Sequence, residues 1–295
     1  MKSNAARFRG CREVLAALAC LALCGGAARA QKSEPGEKQL EAFDRNKFDR
    51  PTKIDNRYLP LKPGTQLVYR GHTLDGKKRV PHGVVFTVTD LTKVIDGVRT
   101  VVCYDRDYEG STLVEPELIF FAQDNDGNVW HFGQYRETYT ETEFVGGQAW
   151  LAGVEGAKAG IMMKGQPRLG APSYSEGYAP APYNWTDRAK VERVGQKVCV
   201  PAGCYEDVLV TVEFSKEEGP RAQQLKYYAP GIGSVRVGWR GKEEKTRESL
   251  DLTQVLQLGP EALAKVRAEA LELEKRASIY SRVPPAEQSL GASSR

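Results

Sequence analysis

Residues 120–135 read FFAQDNDGNVWHFGQY. Asp124, Asp126 and Asn128 recur at every second position, as at the start of a calcium loop, while the aromatic runs on either side have the texture of strands. A loop of the EF-hand type needs Gly at its sixth position for a sharp turn, a bidentate Glu at its twelfth and a helix on each side. Counted from Asp124, those positions hold Val129 and Tyr135. The stretch therefore reads as a hairpin, LIFFAQD (118–124) and NVWHFGQY (128–135) reversing at Asn125-Asp126-Gly127. Weak ion binding by Asp124, Asp126 and Asn128 is the minor alternative, and no metal site is assigned.

The same grammar extends outward. VVFTVTDLTKVI (84–95) and VRTVVCYDRDY (98–108) flank Asp96-Gly97, a pair that accepts the positive φ of a turn matching strand twist. RETYTETEFV (136–145) alternates as a strand. Residues 146–185 are rich in Gly, Pro and Ala, and form either a surface excursion or several short strands. β texture resumes at 187–200, 204–215, 223–239 and 244–258. Gly231 and Gly233 mark a tight turn, since phosphate binding would require a following helix. One helix is expected: Pro260 suits a first helical position, and Leu263, Val266, Ala270, Leu273, Ala277 and Tyr280 form a narrow apolar stripe. The predicted fold is all-β and mainly antiparallel, a curved sheet or incomplete β-barrel over 53–258 with one C-terminal α-helix over 259–281. Residues 31–52 read as a flexible N-terminal segment and 282–295 as a disordered tail.

The first thirty residues carry Lys2, Arg7, Arg9 and Arg12 before an apolar run from Val14 to Cys24, then Ala28-Arg29-Ala30. This is the pattern of a secretory signal peptide cut before Gln31. A lipoprotein signal at Cys20 or Cys24 fits less well, because Ala17 and Leu23 are the wrong sizes at their positions. The expected location is periplasmic or secreted, and no later segment is apolar enough to be an integral membrane helix. Residues 1–30 hold five of the 42 basic and one of the 38 acidic side chains, leaving 37 of each. A neutral mature chain gives no electrostatic case for nucleic acid as a partner.

Cys103, Cys199 and Cys204 remain after the signal. Cys199 and Cys204 flank Val200-Pro201-Ala202-Gly203 and are the disulfide candidate; plain buried thiols are the alternative, and zinc lacks further ligands nearby. His72, His82 and His131 each sit in or beside a strand, where a half-exposed position is the expectation. Asp105, Asp107 and Glu109 share one face of an extended run with Arg106 on the other, the pattern of a solvated strand face; a carboxylate pair for glycoside hydrolysis is the sharper alternative. No G-x-S-x-G, H-E-x-x-H or Walker loop is present. The chain thus points to a binding protein rather than an enzyme, with no catalytic residue and no cofactor assigned.

IDNRYLPLKPGTQLVYRG, KVIDGVRTVVCYDRDYEG, FFAQDNDGNVWHFGQY, VPAGCYEDVLV and KYYAPGIGSVRVGW together resemble a group of exported bacterial β-rich proteins of undetermined function, over about residues 54–240. The YYAPGIG-type turn also looks like that of periplasmic half-barrel proteins related to lipoprotein carriers. That resemblance implies a concave sheet able to hold an acyl chain or a partner segment. The candidate ligand-binding residues are Trp130, Tyr135, Tyr227, Tyr228 and Trp239, with an apolar small molecule, a lipid or an envelope protein as partner. The alternatives are an envelope hydrolase using Asp105, Asp107 or Glu109, and an assembly protein using 31–52 and 260–295 as arms.

Overall fold

Each Asp-Gly corner reverses a strand. Asp96 and Gly97 both take positive φ, 47° and 78°, the geometry a two-residue turn of this hand requires. The computed structural model describes residues 40–215, 223–241 and 246–289. The signal peptide expected over 1–30, residues 31–39 of the expected N-terminal segment and 290–295 of the expected tail lie outside them.

The strands are β1 (Thr65–Asp75), β2 (Lys78–Ile95), β3 (Val98–Glu109), β4 (Thr112–Gln123), β5 (Val129–Tyr139), β6 (Phe144–Leu151) and β7 (Lys158–Met163). Two short strands follow, β8 (Tyr174–Ser175) and β9 (Gly177–Tyr178). The rest are β10 (Arg188–Val200), β11 (Gly203–Phe214), β12 (Gln223–Ala229), β13 (Gly233–Arg240), β14 (Thr246–Gln257) and β15 (Glu287–Gln288). All pair antiparallel in the order β8-β10-β11-β12-β13-β14-β1-β2-β3-β4-β5-β7-β9, with β6 on β5 and β15 on β2. The sheet is open and does not close into a barrel. The predicted single strand over 136–145 is interrupted, because Thr140 N–H donates to Glu143 O at 2.8 Å and turns the chain between β5 and β6. Residues 146–185 resolve into short strands joined by turns. At one crossing a Cβ on Gly160 would lie 2.0 Å from Gly177 N, so only glycine admits the approach of β9 to β7.

Two faces of β3 and β4 have separate fates. Val98, Val102, Tyr104, Leu118, Phe120 and Ala122 form one core with Val266, Ala270 and Leu273 of the helix α1 (Pro260–Glu274). Each fully buried aliphatic side chain there is worth roughly 1.5–3 kcal/mol. The helix ends at Glu274, and a 3-10 turn over Ser278–Arg282 carries Tyr280 onto Phe120 and Tyr135. Polar clamps fix this docking: Arg267 grips both oxygens of Asp90 at 2.8 Å, and Lys93, without solvent contact, donates to Glu274 at 2.6 Å and to Pro284 O at 2.8 Å. Among the described residues no helix is long and apolar enough to cross a membrane.

Residues 40–52 and 282–289, parts of the expected loose ends, lie against the sheet. Phe43 and Phe48 stack edge-on to Trp130 and Phe132, and Glu287 and Gln288 pair with Thr92 and Leu91. Two aromatic rings suffice to carry a charged segment onto an apolar face. At the far end of the order, β10 slips register against β11 at three places. A disulfide joins Cys199 to Cys204, which pair in register at the end of that ladder, and Cys103 is a buried free thiol.

Candidate functional site

The opposite face of β3 and β4 turns inward. β4 and β12 stand six places apart in the strand order, about 29 Å in a flat sheet at ~4.8 Å per strand, yet both line one cavity. The sheet therefore curls over on itself. The cavity measures about 270 Å³. Leu59, Leu67, Val84, Phe121, Val237 and Leu250 are among its apolar walls, and Asp105, Asp107, Gln224, Lys226 and Glu248 supply its polar groups.

Strand register assembles the acids. Asp105 faces Glu117 and Asp107 faces Glu115 across β3 and β4, and such cross-strand neighbours share one face with Cβ atoms about 5 Å apart. His82 on β2 donates from Nε2 to Glu248 Oε1 at 3.1 Å and lies 3.7 Å from Asp107 Oδ2. Arg136 on β5 stands 3.6 Å from Glu115. Lys226 pairs with Glu213 at 2.6 Å.

Burial followed by mutual repulsion sets the protonation of this group. Burial pushes the Asp105 carboxyl up to about 7, with Glu248 and Glu115 adding to the rise against the Arg106 amide. Burial and then the Asp105 charge push Asp107 well up. Glu117 rises to about 8 for the same first reason, with Arg136 opposing. Burial also disfavours charge on Lys226, but Glu213 and Glu176 outweigh it and hold the ammonium protonated. Asp107 keeps 26% of its side-chain surface open and is one of the residues that line the cavity. The face predicted as solvated is thus the interior for Asp105 and Asp107, since the sheet bends around it; Glu109, at the strand end, is exposed.

The acids of β4 were not singled out from sequence, although Glu115 and Glu117 alternate as Asp105 and Asp107 do. Of the five aromatic candidates, Tyr228 lines the cavity. Trp130 and Tyr135 belong to the core beneath the helix, the Trp130 Nε1 donating to Asp124 at 2.8 Å. Tyr227 points to the other face of β12, where Arg193 and Arg236 approach its ring, and Trp239 faces inward beyond the cavity. The histidines also part company. His131 is fully buried among Phe121, Trp150 and Trp185, and burial lowers it to about 4 against carbonyl contacts with Glu176 and Gly133. His72 stays near the surface, 3.1 Å from Arg79.

The opening stretch is a turn. Asp124 Oδ1 accepts the amides of Asp126 and Asn128 at 3.0 and 2.8 Å, and Oδ2 accepts the Asn128 and Trp130 side chains, both at 2.8 Å. Four donors occupy the carboxylate that a cation would need, and Asp126 pairs outward with Lys47 at 3.0 Å. No group of metal ligands occurs among the described residues.

No family model matches the chain, and no curated protein matches it. Two solved structures are similar to it. One is a protein from Bacteroides fragilis described as exported, with a YmcC-like fold: 12% identity, TM-score 0.41, covering 68% of this chain and 99% of that one. The other is a protein from Parabacteroides distasonis described as a lipoprotein: 12% identity, TM-score 0.36, covering 68% of this chain and 100% of that one.

Proposed function

We propose that this is an exported envelope protein that binds a small amphiphilic molecule, without transforming it, inside its curled sheet. The cavity carries the reading: about 270 Å³ walled mainly by Leu, Val, Phe and Ile side chains, with polar groups gathered on a few strands. Ligand sites combine an apolar wall with a few convergent polar groups in this way. An engineered apolar cavity of roughly 150 Å³ holds benzene, so this one suits a ligand of about ten non-hydrogen atoms, one short chain rather than a two-chain lipid or a whole peptide strand. Export rests on the basic, apolar and A-x-A pattern of residues 1–30.

Native mass spectrometry of protein purified from the periplasm should show a small bound mass that is lost when Val237→Trp fills the cavity. Retention of that mass by the filled variant would overturn the reading. A second reading, acid–base hydrolysis, draws on Asp105 near 7 and Glu117 near 8, values suited to proton transfer at neutral pH. It requires turnover of aryl glycosides that Asp105→Asn abolishes.

A further inference from the structure

The polar end of the cavity is short of donors. Asp105 accepts one hydrogen bond, from the Arg106 amide at 3.0 Å, and among the described residues Asp107 accepts none, its nearest partner being His82 at 3.7 Å. Glu248 shares His82 and sits 3.4 Å from the Gln224 amide nitrogen. Among the described residues Lys226 is the one cation lining the cavity, and Glu213 engages it. The Tyr69 hydroxyl is spent on Ser234 O at 2.7 Å, which leaves the Ser234 hydroxyl, without a partner among the described residues, as a single neutral donor. Glu115 and Glu117 on β4 lie beside Asp107 and Asp105 on the same face and crowd it with further carboxyls, Arg136 on β5 standing 3.6 Å from Glu115.

A ligand carboxylate would meet three carboxylates here, and a hydroxyl could offer one donor. An ammonium offers three donors and a positive charge to the same oxygens. We propose that the cavity selects a small single-chain amine, its ammonium held by Asp105, Asp107 and Glu248 and its hydrocarbon body laid along Leu67, Val84 and Leu250. This specificity rests on the cavity being a binding site at all. Burial and the neighbouring acids raise Asp105 and Asp107 above the usual carboxylate range and a bound ammonium would lower both again, so amine binding should release protons.

Isothermal titration of the chain purified from the periplasm, at pH 8 and fixed salt, compares n-octylamine, octan-1-ol and octanoate. Octylamine should bind more tightly than octanoate by roughly tenfold to a hundredfold, the range of a charge-assisted hydrogen bond. Asp107→Asn should shrink that preference by weakening octylamine more than octan-1-ol, with circular dichroism confirming the fold. Equal binding of amine and alcohol, or tighter binding of octanoate, overturns the amine assignment while the cavity reading stands. Failure of all three to bind sinks both.

Discussion

Replacing Asp105 with Asn should stabilise the protein at pH 8 and leave it nearly unchanged at pH 4. The carboxyl titrates near an ordinary 3.8 in the unfolded chain and near 7 in the fold. Below the lower value both states hold the proton. Between the two the unfolded chain ionises while the folded one does not, so stability falls by about 1.4 kcal/mol per pH unit, and above 7 the loss levels off. The full span sets an upper bound of roughly 4 kcal/mol. Asp105 keeps partial solvent contact and shares its repulsion with Glu115 and Glu248, so about half of that, ~2 kcal/mol, is the expected gain for the Asn variant. For a domain of this size that is about 4–8 °C in Tm. Urea and thermal unfolding of both proteins at pH 4, 6 and 8 would measure it. A variant no more stable than the parent at pH 8, or one whose advantage is the same at pH 4, refutes the account of a crowded acidic interior.

Two further outcomes follow from the helix side and the turn. Removing one partner of the Lys93–Glu274 pair, as in Glu274→Gln or Lys93→Met, should cost about 3–5 kcal/mol in chemical denaturation, while Lys93→Met with Glu274→Leu should recover only part of it, because Pro284 O and the Ala286 amide lose their partners. Asp124→Ala strips the acceptor from four donors and should lower stability by at least about 2 kcal/mol, and neither calcium nor a chelator should shift the Tm of the parent protein.

The hairpins were readable because local chemistry decides them: Asp96-Gly97 and the 124–128 turn need only their own backbone preferences and neighbouring side chains. The helix was readable from its stripe, although its end was not. Arg276 turns aside to Glu137 at 2.7 and 2.8 Å, a contact 139 residues away that no periodicity announces. The cavity was hidden for a related reason. Alternation shows that Asp105 and Asp107 share a face, but whether that face meets water depends on how far the sheet bends, which is set by strands as distant as β12. Charged residues were read as outward-facing because isolated buried acids are costly, and the grouping with Glu115, Glu117, Lys226 and Arg136 becomes visible only once register is known. The aromatic residues misled in the opposite sense, since Trp130 and Tyr135 serve the layer beneath the helix.

The irregular ladder of β10 bears on how the molecule behaves in a crowded compartment. β8 covers β10 at Arg188 and Ala189, and a long strand edge left beyond so short a cover is a template on which a neighbouring copy can lengthen the sheet. Three slips of register bend this one, and Lys190, Glu192, Arg193 and Lys197 stud it with charge, so an incoming backbone finds neither a straight row of amides nor an uncharged surface. That edge of the open sheet is thereby a poor template for self-assembly.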